Sequence, residues 1–272
     1  MSTTSAPASP LAEPMGWDLV APGYAAVNIP QFEKYATDAL TAAALRSSDR
    51  ILDVATGPGT LAFLASPLVA RVDALDFSPE MLSELNVRLQ SRPLANLFPR
   101  QGDGQALPYE AESFDAAFSM FGLIFFPDRS KGFAELRRVL RPGGAALVSS
   151  WQPMSRVPLL ISVFKALSSA LPGLPFGDGK GPLSDPEDFK KEMSAARFEV
   201  EVRELVHAVD APSFAAFWVD FARSFAPLVL LEHKLGADRF APLSAGIRQR
   251  LEAEVGPGPV RLEMPAWLGI GR

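Results

Sequence analysis

Three aspartates and a glycine turn carry the densest chemical information in this 272-residue sequence. Asp53 closes the apolar run Ile51-Leu52 and leads through Val54 and Ala55 into the turn Thr56-Gly57-Pro58-Gly59, which opens onto Leu61-Ala62-Phe63-Leu64. A strand, a tight glycine turn and a helix start form the unit by which an open α/β sheet holds a nucleoside-like cofactor. Asp76 ends the next apolar run, where a carboxylate can accept hydrogen bonds from a ribose. Asp103, in the turn Gln101-Gly102-Asp103-Gly104, either reads the cofactor or caps its own loop.

Two cofactor classes fit the turn. Gly57-x-Gly59-x-x-Ala62 can be laid onto the dinucleotide fingerprint, and Asp76 suits a ribose in either class. Asp53 separates them, because it stands where a dinucleotide enzyme places its first glycine to bring a pyrophosphate close. A carboxylate there suits a cation. S-adenosylmethionine carries a sulfonium and an amino-acid tail and has no phosphate, so the acids fit it better than NAD. None of the tyrosines Tyr24, Tyr35 and Tyr109 has a lysine four residues later, so the Tyr-Lys pair of short-chain dehydrogenases is missing. An NAD(P)-dependent oxidoreductase and a non-catalytic binding protein that keeps the fold stand as the alternatives.

The elements that must position these residues alternate. Arg50 to Thr56, Arg71 to Phe77, Leu97 to Asp103, Phe114 to Met120 and Ala145 to Trp151 read as strands, with helices at Leu61 to Ser66, Pro79 to Arg92 and Ser130 to Leu140. Such alternation predicts a doubly wound, mostly parallel sheet covered by helices on both faces, an α/β class. Ser78-Pro79-Glu80 supplies an N-cap with proline in the first helical turn, and Arg141-Pro142-Gly143-Gly144 turns a helix into a strand. Upstream, Phe32, Tyr35, Ala36, Ala39, Leu40 and Ala43 recur at helical spacing over Gln31 to Leu45. Residues 1–14, rich in Ser, Ala, Thr and Pro, read as a disordered tail, and residues 15–48 as an N-terminal helical lid before a cofactor-binding core over 49–152.

Past Trp151 the pattern changes. A helix is expected over Val157 to Leu171, a Gly/Pro loop over 171–182 and a short helix opened by Ser184-Asp185-Pro186-Glu187, so 153–196 reads as a helical cap inserted over the sheet. Residues 197–272 then complete the sheet, with Phe198 to Leu205 alternating like a strand and Trp267 to Gly271 forming a last short one. Between them Pro212-Ser213 caps a helix with Phe214, Phe217, Trp218, Phe221 and Phe225 on one stripe. That stripe is core packing, a lid over an apolar or aromatic ligand, or a homodimer contact.

Composition narrows the function classes. With 48% hydrophobic and 21% charged residues the chain can bury a sizeable core. No apolar run reaches the roughly 20 residues of a membrane span, and the start lacks the basic residue and apolar block of a secretory signal, which points to the cytoplasm. The absence of cysteine excludes disulfides and thiolate metal sites, and with only two histidines no metal is expected. A net charge of −5 without a dense basic run argues against nucleic acid and for a small-molecule partner.

In these ordered motifs, over roughly Trp17 to Trp151, the sequence resembles the class I S-adenosylmethionine-dependent methyltransferases of the small-molecule type. The family's acid-x-Gly-x-Gly-x-Gly motif is matched by Asp53 to Gly59, with alanine at the first glycine, and its second-strand acid by Asp76 in LDFSPEML. Its adenine-proximal acid is matched by Asp103, its fourth-strand segment by FDAAFSMFGLIFFPD and its following turn by LRPGG. The phrasing is similar to that of the quinone-biosynthesis methyltransferases, the methyltransferase type 11 group. The resemblance implies a Rossmann-like seven-stranded sheet with S-adenosylmethionine as cofactor and S-adenosylhomocysteine as product. It implies that Asp76 accepts both ribose hydroxyls, that Phe77 and Met81 sandwich the adenine and that Asp103 and the Gly104 amide read its amino edge. Met120 would line the same pocket, Ala55 and Gly57 would let the backbone approach the methionine moiety, Asp53 and Gly59 would bind the cofactor as members of the first motif, and Tyr24 in WDLVAPGYAAV would enclose the methionine end.

Methyl transfer is an in-line displacement whose acceleration can come from alignment in a water-excluding site, so no catalytic residue is assigned. His207 and His233 could act as bases, but a lone histidine near a strand end or on a helix face is more often structural, and neither enters the assignment. The acceptor is expected to be a small apolar or aromatic molecule bound by Phe121, Phe125, Phe217, Trp218 and Phe221.

Overall fold

The structure, a computed structural model, describes residues 9–168 and 181–272. A long first helix, α1 (Pro14–Ala43), precedes β1 (Arg50–Val54), α2 (Thr60–Ala65), β2 (Arg71–Asp76), α3 (Pro79–Ser91), β3 (Leu97–Gln101) and β4 (Phe114–Met120). There follow α4 (Arg129–Val139), β5 (Leu140–Trp151), α5 (Pro158–Ser168), α6 (Pro186–Ala195) and β6 (Val200–Ala211). The chain closes with α7 (Phe214–Ser224), α8 (Ala226–Leu235), α9 (Ala237–Val255) and β7 (Val260–Gly271). The seven strands lie in the order β3-β2-β1-β4-β5-β7-β6. The first five are parallel, and β7 runs antiparallel between β5 and β6. The strand order reverses at β1 and β4, the place where open α/β sheets leave a crevice for ligand.

Side chains alternate across the sheet as the strand period requires. Ile51, Val72, Ala74, Phe118 and Leu147 pack toward Ala36, Ala39 and Leu40 of α1 and toward α2 and α3. Leu52, Val54, Leu75, Ala117 and Val148 pack toward Phe133 and Leu136 of α4 and Phe189 and Met193 of α6. The caps act where the sequence places them: the Ser78 side chain accepts from the Met81 amide, Asp185 from Glu187 and Asp188, and Ser213 from Ala216.

Several boundaries differ from expectation. The lead helix starts at Pro14, not Gln31, and runs through Pro22 and Pro30. Each proline forfeits one backbone hydrogen bond, and tertiary contact compensates. Against α7 the approach is so close that a Cβ on Gly23 would fall 1.9 Å from the Arg223 carbonyl oxygen. Nearby, Asn28 Nδ2 donates to the Ser224 carbonyl at 3.3 Å. Of the expected tail over residues 1–14, residues 1–8 lie outside the described residues, while Leu11 is buried and its carbonyl accepts from Trp17 Nε1.

The segment 153–196 is not one cap. Its second helix, α6, covers the sheet, with Phe189 and Met193 filling the space above Gly269 and Gly271. The expected 171–182 loop lies for the most part outside the described residues. The larger insertion over the sheet is α7–α9, between β6 and β7, and one helix was expected where three stand. β7 begins at Val260 rather than Trp267, pairing with β6 from Val260–Ala211 to Gly271–Val200. Its first half carries Arg261, Glu263 and Pro265, which dilute the apolar alternation of a strand. No single described helix is long and apolar enough to cross a membrane.

Candidate functional site

At the carboxyl ends of β1, β2 and β4, roofed by α1, α5 and α7, lies a cavity of about 570 Å³. The glycine turn forms its floor. Ala55, just past β1, has φ 57° and Phe121, just past β4, has φ 58°, both in the left-handed region that non-glycine residues rarely occupy. The two turns pack directly together: a Cβ on Gly122 would stand 2.3 Å from that of Ala55, so the chain needs glycine there.

Asp76 ties the floor together. Its carboxylate accepts the Gly57 amide at 2.7 Å and the Ser78 amide at 2.9 Å, although it is 4% exposed. Burial, aided by the charge of Asp18, pushes its pKa up to about 6 against the opposing backbone donors. Asp53, also buried, accepts from Thr56 Oγ1 at 2.6 Å. Burial lifts it further, to about 7, with the Thr56 hydroxyl opposing and the Asp76 charge adding to the rise. Two such acids side by side form a concentrated demand for positive charge. Tyr24 hangs from α1 into the same space, its hydroxyl held well above the usual phenol range by burial and by the Asp76 charge, so it stays a protonated donor.

Around this floor stand Phe77, Met81, Gly102, Asp103, Gly104 and Met120. Gly104 is a close-packing glycine, since a Cβ would lie 2.4 Å from the Phe126 ring. Asp103 Oδ1 accepts from the Gln105 amide at 2.8 Å and from Gln105 Nε2 at 3.2 Å, so the acid holds its own loop while facing the cavity. Gln105 Oε1 in turn accepts the Asp128 amide, which anchors the loop to the start of α4.

The far half of the cavity is aromatic. Phe121 stacks on Trp151 with ring centroids 4.0 Å apart, and Phe32 and Tyr35 meet both rings edge-on. Trp17 meets Phe125 edge-on at 4.9 Å. Phe217, Phe221 and Phe225 stack along α7, at 5.4 and 4.6 Å, and line the opposite wall.

Most of the residues read from sequence converge on this one cavity, with two corrections. Gly59 does not line it: with φ 79° it starts α2 and packs on Leu85, whose Cδ1 a Cβ would approach to 2.9 Å. Its glycine serves the turn and helix packing. Trp218 also lies outside the lining, because the stripe on α7 is wide enough for Phe217 and Phe221 to face the cavity while Trp218 packs into the core. Neither histidine lines the cavity; His207 Nε2 pairs with Asp38 at 2.7 Å on the outer side of Tyr35. Sequence reading missed Asn28, Gln31, Phe32, Trp151 and Met264. On α1 the signal was present, since Tyr24, Asn28, Gln31, Phe32 and Tyr35 recur at i, i+4, i+7, i+8 and i+11, but it crosses Pro30.

Residues 51–144 match the family model described as a methyltransferase domain. Over 182 residues the chain is 32% identical to the demethylmenaquinone methyltransferase of Thermus thermophilus, covering 61% of this chain and 81% of that one. The chain belongs to the class I S-adenosylmethionine-dependent methyltransferases. The corresponding enzyme of Deinococcus radiodurans is 29% identical over 192 residues, 64% of this chain and 75% of that one. An uncharacterised protein of Mycobacterium tuberculosis is 35% identical over 128 residues, 47% of this chain. The match covers 46% of that protein, so the chain spans about half the length of the mycobacterial relatives it matches. Among solved structures, the 4+2 cyclase SpnF superposes with a TM-score of 0.64 at 18% identity over 98% of both chains. A methyltransferase-like protein of Bacillus halodurans superposes with 0.60 at 18%, over 87% of this chain and 97% of that one. These two likenesses show the fold of the family: a seven-stranded, mostly parallel sheet flanked by helices.

Proposed function

We propose that the protein transfers the methyl group of S-adenosylmethionine to a small apolar or aromatic acceptor, the two ligands sharing the one cavity. The observation that carries this reading is the buried Asp76 carboxylate at the end of β2, bound to the Gly57 amide at the cavity floor with Asp53 beside it. Bound there, S-adenosylmethionine would supply an electrophilic methyl group to the acceptor's nucleophile and leave as S-adenosylhomocysteine.

The chain's residues bind, align and exclude water. Asp76 has lone pairs beyond those used by Gly57 and Ser78, with which it accepts the ribose hydroxyls. Asp53 and the cradle of Ala55 and Gly57 receive the methionine end; the Cβ position on Gly57 has only Met81 Sδ nearby, at 3.9 Å, and any side chain there would reach into the cavity. Phe77, Met81 and Met120 enclose the adenine, and Asp103 with Gly104 meets its amino edge. Tyr24 covers the methionine end from above, while Phe121, Phe125, Phe217 and Phe221 hold the acceptor. Alignment and desolvation in this enclosure supply the acceleration. A demethylmenaquinone-like ring falls within the acceptor class, as the names of the Thermus and Deinococcus relatives suggest.

Incubation with methyl-labelled S-adenosylmethionine and a panel of aryl acceptors tests the reading: label should pass to an aryl product with one S-adenosylhomocysteine formed per transfer. Failure across aromatic acceptors with transfer to polar aliphatic amines would overturn the acceptor class. The corrected α7 stripe adds a pair of contrasting variants. Trp218→Ala should lower unfolding free energy in urea by about 3–5 kcal/mol, the usual cost of deleting a core tryptophan, and leave S-adenosylhomocysteine affinity unchanged. Phe217→Ala should lower the turnover of aryl acceptors.

A further inference from the structure

One stripe of α3 runs along the glycine turn. Met81, Leu85 and Arg88 stand at i, i+4 and i+7 on that helix and so share a face. Each meets a different residue of the turn. Met81 Sδ lies 3.9 Å from the Cβ position on Gly57, and Leu85 Cδ1 lies 2.9 Å from that on Gly59. Between them in sequence, the Pro58 carbonyl accepts from Arg88 Nη1 at 2.7 Å. The Arg88 guanidinium also sits over the Phe63 ring of α2, 4.1 Å from its centroid, and the negative charge of Glu33 on α1 favours it. Arg88 does not line the cavity, whereas Pro58 does.

Gly57 and Gly59 both have positive φ, 55° and 79°, and glycine loses more backbone freedom on ordering than any other residue. A turn of this kind that had to be ordered by its ligand would lower the ligand's affinity. Here it is held before any ligand arrives. The Gly59 amide donates to the Thr56 carbonyl at 3.0 Å and closes the turn, the Gly57 amide donates to Asp76 at 2.7 Å, and Arg88 takes the carbonyl that follows. A guanidinium on a carbonyl is a charge-assisted bond, stronger than one between neutral groups.

We infer that Arg88 is a positioning residue for cofactor binding, which presets the Gly57–Gly59 turn by holding the Pro58 carbonyl. It acts through the turn and touches no ligand. This rests on the reading of the cavity as the S-adenosylmethionine site with the turn under its amino-acid end.

The test compares S-adenosylhomocysteine with 5′-methylthioadenosine, which keeps the adenine, ribose and sulfur but has no amino-acid tail. Calorimetric titration should show wild type binding the former more tightly. Arg88→Met keeps an unbranched stem against Phe63 and removes the donor. It should weaken S-adenosylhomocysteine by about tenfold, the scale of one hydrogen bond to a charged group, and leave 5′-methylthioadenosine unchanged, because Asp76 keeps its bond to Ser78. Arg88→Gln, hydrated but too short to reach Pro58, should show the same selective loss and stands in if the methionine variant does not fold. Arg88→Lys should recover most of the loss, since a single bond to a carbonyl needs one donor and not a planar fork. Unchanged affinity for S-adenosylhomocysteine in the methionine and glutamine variants overturns the proposal. Equal weakening of both ligands also overturns it, by making Arg88 a general prop for α3, as does a lysine variant no better than methionine. Wild type failing to bind S-adenosylhomocysteine would instead sink the cofactor reading beneath it.

Discussion

Asp76→Ala is expected to weaken S-adenosylhomocysteine binding by about 100-fold or more while the protein stays folded. Hydrogen bonds to a charged group are each worth about 1.5–3 kcal/mol, and a ribose diol engages the carboxylate twice, which sets that scale. The fold should survive because the Gly57 amide that Asp76 now accepts borders the cavity, where water can replace the carboxylate, and Ser78 still caps α3 through its own side chain. The same burial that pushes the carboxyl up to about 6 marks it as a group held in place against its own solvation preference. Calorimetric titration paired with a thermal melt reads both quantities. An Asp76 with a purely structural role would show the reverse: a lower melting temperature and an unaltered affinity.

Asp53→Asn should act in opposite directions on stability and on binding. Burial raises the Asp53 carboxyl to about 7, far above its unfolded value, so between those limits the folded protein holds a proton that the unfolded chain has released. Stability from this group is therefore complete only below about pH 4 and is lost progressively as pH rises from there through 7; Asp76, raised to about 6, adds a loss of the same sign that is finished at about 6. The ligand-free protein should melt several degrees higher at pH 5 than at pH 8 through these two groups. Asparagine resembles the neutral acid and can still accept from Thr56, so the melting-temperature gain of Asp53→Asn over wild type should be largest at pH 8, smaller at pH 5 and absent only below about pH 4. Binding runs the other way. The ammonium end of S-adenosylhomocysteine favours the ionised carboxylate, so the variant should bind about tenfold more weakly at pH 8, a loss of one charge-assisted contact. A wild type whose melting temperature is flat from pH 5 to 8, with no gain for the variant, would contradict the buried-acid account.

The α/β core was legible because each of its signals is local. The apolar runs around Leu52, Ala74 and Phe118, the turn at Gly57 to Gly59 and the caps at Ser78 and Ser213 are written in a few adjacent residues. What the sequence hid depends on packing at a distance. The helical period was read only from Gln31 on, yet α1 starts at Pro14 and continues through Pro22 and Pro30, clamped against Arg223 and Ser224. The late start left out Asn28, which lines the cavity from the first half of that helix. Gly59 and Trp218 differ in the opposite direction: their residue types suited the site, but neighbours on other elements, Leu85 of α3 for the glycine and the hydrophobic core for the tryptophan, hold them outside the cavity lining. The 153–196 segment was read as a cap since helix composition alone does not tell a helix over an active site from one over a sheet; Phe189 and Met193 decide for the sheet.

The account stands most directly on one measurement, isothermal titration of the purified protein with S-adenosylhomocysteine, with NAD and NADP as controls. Micromolar binding of S-adenosylhomocysteine alone is the predicted result. Binding of either nicotinamide nucleotide in its place, or of none of the three, would contradict the assignment of the Asp53–Asp76 floor to a sulfonium cofactor.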